Sequence, residues 1–74
     1  MALLKWSQME NGTWNGKLGP YTLMTVALHK SDNAPDEWWV HPKVPGLKSC
    51  PARTDEEGKM IAQEQFARWL MEVV

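Results

Sequence analysis

From Thr54 to Val74 the apolar positions recur with helical spacing, and no other stretch of the chain sustains that period. At about 100° per residue, Ala62, Phe66, Trp69, Leu70 and Val73 fall on one face, with Glu64, Gln65, Arg68 and Glu72 opposite. The pattern predicts one amphipathic helix over residues 54–74. Its start is marked by Thr54 ahead of Asp55-Glu56-Glu57, a capping box in which the Thr54 hydroxyl accepts from the N–H of Glu57. Three acids in the first turn also complement the positive end of the helix dipole. Gly58 reads as a weak point, costing about 1 kcal/mol relative to Ala. Glu64–Arg68 and Arg68–Glu72 have the spacing of stabilising pairs on a solvated face. Met60, Ala67 and Met71 line one flank of the apolar stripe and read as the edge of the core.

Upstream the pattern changes to short, alternating segments cut by turn residues. Leu3 to Gln8 alternates as a strand, with Leu4 and Trp6 on one side. Asn11-Gly12 is a strong hairpin signal because both residues accept positive φ, and Thr13 to Lys17 follows as a second strand carrying Trp14. Leu18-Gly19-Pro20 is a second turn. Tyr21 to Lys30 is the longest strand candidate and is apolar on both sides in its middle, which suits a central position. Ser31 to Glu37 reads as a polar loop, Trp38 to His41 as a candidate fourth strand, and Pro42 to Arg53, with its prolines and Gly46, as an irregular connection to the helix. The expected fold is therefore a single α+β domain over residues 1–74. Its antiparallel sheet has three or four strands, about 3–41, joined by a loop, about 42–53, to one C-terminal helix, about 54–74. A single helix covers only one face of a sheet, so the other face is where function is expected.

Composition sharpens this. A chain of 74 residues buries only about 60% of its unfolded surface, and five Trp compensate for a thin core. The lone Cys50 cannot close an internal disulfide and suits a reducing compartment. Met1 to Trp6 has neither a long apolar run nor a basic lead-in, so a cytoplasmic location is expected. On the same ground Asn11-Gly12-Thr13, although it matches a glycosylation acceptor, reads as a turn. No segment approaches the ~20 apolar residues of a membrane span. Net charge is −1, with no global footprint for nucleic acid. The balance is mildly basic up to Arg53, six Lys/Arg against four Asp/Glu, and acidic beyond it, two against five.

Candidate chemistry is sparse. His29, His41 and Cys50 match no metal-ligand spacing, and a structural zinc site needs four ligands. Cys50, set before a proline, has no activating neighbour. Glu56, Glu57 and Glu64 lie on a solvated helix face, and Gly12, Gly16 and Gly19 do not lead from a strand into a helix as a phosphate loop does. The sequence thus predicts no enzyme, no metal and no cofactor, but a binding protein. Trp38 and Trp39 point to opposite faces of a strand. Trp38 shares the more apolar face with Val40, so Trp39 and His41 are expected on the uncovered face. Trp39, His41 and Trp14 are the candidate protein-binding residues, for a partner protein or a second copy of the chain. The alternative is a single-stranded nucleic-acid binder that stacks bases on sheet aromatics beside Lys43, Lys48 and Arg53.

An early strand with Trp6, then Gly12-Thr13-Trp14, Gly19-Pro20-Tyr21, Trp38-Trp39-Val40 and a closing helix with Ala62 and Phe66 resembles a group of small phage- and prophage-encoded proteins. The chain departs from that pattern in its long 31–37 segment and in the Met and Trp of its helix, where the group tends to Ala. The resemblance implies an accessory protein acting in the cytoplasm of a bacterial host by binding a host protein, for instance inhibiting a defence or transcription complex.

Overall fold

The computed structural model describes residues 4–73, the side chains of Ser31 and Val73 excepted. Leu3 and Val74, expected at the ends of the first strand and the helix, lie outside the described residues, as does the side chain of Val73. The order is β1 (Lys5–Gln8), β2 (Trp14–Leu18), β3 (Tyr21–Ser31), β4 (Ala34–Pro42), β5 (Cys50–Ala52) and α1 (Asp55–Val73). The strands form one antiparallel sheet in sequence order. The helix lies against β3, β4 and β5. The α+β class and the closing helix are as expected, with five strands where the sequence suggested three or four.

The first two turns have different solutions. Gly12 alone has positive φ in the β1–β2 loop, at 91°. Its N–H donates to the Met9 carbonyl at 3.0 Å, and the Met9 N–H donates to Thr13 at 2.7 Å. The connection is thus a three-residue loop with glycine in the left-handed position, not a two-residue turn with both residues at positive φ. Asn11 keeps a role through its side chain, whose oxygen accepts from the Thr13 N–H at 3.0 Å. Leu18 pairs directly with Tyr21, so Gly19 and Pro20 are the central residues of a two-residue turn, and Gly19 supplies the positive φ of 61°.

Two prolines misdirect a reading from sequence. Ser31 to Glu37 is not a loop. β3 and β4 run on as a hairpin to Ser31 and Ala34, with a register shift between His29 and Ser31. Pro35 is tolerated because β5 reaches only residues 38–40 of β4, so the start of β4 has a neighbour on one side only, where a missing N–H costs least. Likewise the 42–53 connection contains β5, whose Pro51 sits on a sheet edge opposite Trp39.

The helix begins where its cap predicts. The Thr54 hydroxyl accepts from the Glu57 N–H at 3.1 Å, and the Thr54 carbonyl from the Gly58 N–H at 3.0 Å. Ala62 and Phe66 are fully buried with Met24, Val26 and Val40, Leu4 is buried beside them, and Ile61, Trp69 and Leu70 pack at the margin. Gly58 is not a defect. It is buried, and a Cβ there would lie 2.7 Å from Val26 Cγ1, so glycine permits the close approach of helix and sheet. The methionine flank is also corrected. Met60 and Met71 are 66% and 83% exposed, turned away from the core. Among the described residues the ion pair that forms on the helix is Glu56–Lys59, 3.2 Å.

Candidate protein-contact site on the uncovered sheet face

Register divides the aromatics. Val26 pairs with both Trp14 and Val40, and Leu28 with Trp38. Because Val26 and Val40 are buried under the helix, Trp14 and Trp38 share that covered face. Trp6 pairs with Gly16 on the same side, and its ring lies where a Gly16 side chain would begin, 2.9 Å from the position of a Cβ. Trp69 packs beside Phe66 and donates its indole N–H to the Pro45 carbonyl at 3.1 Å. Four indoles therefore serve the core and its margin.

Trp39 is the exception. Its ladder partners are Ala27 on β3 and Pro51 on β5, both too small to cover an indole. It stays half-buried because two imidazoles lean on it: the His29 and His41 rings lie 6.0 and 6.3 Å from the Trp39 ring, the latter nearly parallel. Its N–H donates to Glu37 Oε2 at 3.3 Å. His29 and His41 meet each other at 2.8 Å between Nε2 atoms, and His41 Nδ1 lies 3.0 Å from Ser49 Oγ. These side chains, with Lys30, Ala34 and Pro35, line a shallow cleft. Desolvation, then the charge of His29, then that of Lys43, push the His41 pKa below its ordinary 6.5.

The sequence-derived site is thus brought together only in part. Trp39 and His41 share the uncovered face. Trp14 is on the opposite one, where its N–H donates to Asp55 Oδ2 at 3.1 Å and Lys59 Nζ sits 3.8 Å over its ring. It ties the helix N-terminus to β2 rather than joining Trp39. His29, set aside in sequence, belongs to the cluster. Its alternation with Ala27 on β3 could have placed it there once the β3–β4 pairing was known. Cys50 is separated from both histidines: it pairs with the covered Val40, and Gln65 donates to its sulfur at 3.6 Å.

The three cations of the nucleic-acid alternative, Lys43, Lys48 and Arg53, are exposed. Arg53 shares its cleft with Asp36, Glu37 and Glu57, so acids offset its charge. Among the described residues no helix is long and apolar enough to cross a membrane. Compared with protein-family models, curated proteins and solved structures, the chain matches none of them.

Proposed function

We propose that this chain is a non-enzymatic binding module whose uncovered sheet face, centred on Trp39 with His41 beside it, contacts a protein. The observation that supports it is the position of Trp39: an indole set between Ala27 and Pro51, backed by imidazoles rather than by the helix. Aromatic anchors of this kind dominate protein interface energetics. A wholly solvated strand position has no need of an indole. The resemblance to phage-encoded proteins makes a bacterial host protein the partner class and the host cytoplasm the place of action, with inhibition of a defence or transcription complex as the outcome.

The test compares Trp39→Ala with wild type in capture from bacterial lysate and in sedimentation of the purified chain. A specific host protein retained by wild type and lost by the variant, with the fold intact, supports the reading. A contact that survives Trp39→Ala overturns it. Self-association lost in the variant would make a second copy the partner. Binding of single-stranded nucleic acid that falls steeply with salt would replace the reading by one built on Lys43, Lys48 and Arg53.

A further inference from the structure

We propose that His29 and His41 form a two-imidazole chelate for a divalent transition-metal ion of the Cu(II) or Ni(II) type, bound through both Nε2 atoms. The pair is diagonal in the sheet: His29 pairs with Glu37 and His41 with Thr25, yet the rings converge across Ala27 and Trp39. Their Nε2 atoms are 2.8 Å apart. Two metal–imidazole bonds of about 2.0–2.1 Å at a right angle place their nitrogens about 2.9 Å apart. The observed spacing therefore matches that of two adjacent ligands, with each ring turning so that its lone pair meets an ion off the N···N line. Adjacent ligands at a right angle are the square-planar or tetragonal arrangement that Cu(II) and Ni(II) favour.

One pair of tautomers satisfies both contacts. Ser49 Oγ lies 3.0 Å from His41 Nδ1. A proton on that nitrogen, donated to the hydroxyl, leaves the Nε2 lone pair of His41 facing His29. With that tautomer of His41, His29 Nε2–H is the donor in the metal-free contact. Binding requires only that this proton move to Nδ1 of His29, so no net proton is released from the neutral pair. Ser49 is a positioning residue, orienting His41 as outer groups orient metal-bound imidazoles elsewhere. Glu37, across the ladder from His29, supplies a nearby negative charge, and Lys43 acts against it. Among the described residues no group of three or more His, Cys, Asp or Glu can hold a metal. The remaining coordination positions fall to water, and the ion is one that two imidazoles can retain.

The test is calorimetric titration of the full chain with NiCl2, which avoids redox chemistry at Cys50. One Ni(II) per chain is expected. Binding is lost alike in His29→Gln and His41→Gln, is weakened about tenfold in Ser49→Ala, and persists in Cys50→Ser. Because Trp39 lies 6.0 and 6.3 Å from the two rings, Ni(II) should also quench indole fluorescence, and Trp39→Phe should remove most of that quench. No heat with wild type, or binding unchanged in either histidine variant, overturns the site. The experiment needs no protein partner, so it can fail while the Trp39 contact stands, and the reverse.

Discussion

Trp38 and Trp39 are neighbours in sequence and opposites in environment. Trp38 pairs with Leu28 and packs against the core beneath the helix. Trp39 pairs with Ala27 and packs against His29 and His41. The covered face is mainly apolar: among the described residues no polar or charged residue is buried. The uncovered face holds a chain of polar rings joined to Ser49 and Glu37. One strand thus carries core packing on one side and the proposed contact residues on the other. The two can be changed separately because successive side chains never share a face.

The largest effect should come from the covered side. Phe66 is fully buried, so Phe66→Ala should cost about 3–5 kcal/mol, a large share of a small domain's stability. Arg68, exposed on the far side of the helix, should cost under about 0.5 kcal/mol when changed to Ala. Urea unfolding of both variants checks this, and equal midpoints would contradict the division of faces. Next comes the tryptophan pair. Trp38→Ala should lose about 3 kcal/mol, whereas Trp39→Ala should lose less than about 1 kcal/mol. A thermal melt in which Trp39→Ala is the weaker of the two would make Trp39 part of the core and remove it as a docking residue.

Gly58 gives a smaller effect, and its sign is informative. In an open helix Gly→Ala gains about 1 kcal/mol. Here the new Cβ would meet Val26 Cγ1 at 2.7 Å, and Val26 is fully buried with a short, branched side chain. Overpacking of this kind costs about 1–3 kcal/mol. Gly58→Ala should therefore destabilise, and a variant that melts higher than wild type would show that the helix can lift from the sheet without loss.

Gly58 also shows where sequence reading stops. Helix propensity is local, and it marks this glycine as a flaw; the close approach to Val26 is a property of two segments and appears only once they are packed. The helix itself was legible because Thr54 and the Ala62–Phe66–Leu70 stripe are local signals. So was the placement of Trp38 and Trp39, which needs only alternation and the greater apolarity of Val40. The β3–β4 hairpin and β5 were not, because Pro35 and Pro51 read as breakers when the neighbours that make them harmless are unknown. Met60 and Met71 read as core edge because methionine is apolar, but both are exposed, and the buried stripe of the helix is narrower than its hydrophobic content suggests. The His29–His41 contact was illegible for a further reason. It depends on the β3–β4 register, and a slip of one residue would put the two rings on opposite faces.

The smallest effect is a pH dependence, and it separates the two faces by charge rather than by packing. His41 is held below its ordinary pKa of 6.5 by desolvation, by His29 and by Lys43. Glu37 faces the same ring cluster and favours the proton, while Ser49 is uncharged. Between the folded pKa and 6.5 the unfolded chain binds more protons at this site than the folded one does. Stability should therefore fall as pH drops through that window and should be insensitive to His41 above it. On the covered face no polar or charged residue is buried among the described residues. His41→Gln should flatten the acid limb measured by urea midpoints at successive pH values, and Phe66→Ala should lower every midpoint without changing its pH dependence. A wild-type protein that gains stability on acidification through the window would mean that the folded state holds the His41 proton more tightly. Glu37 would then outweigh His29 and Lys43, and the imidazole pair would carry a charge instead of sharing a single neutral hydrogen bond.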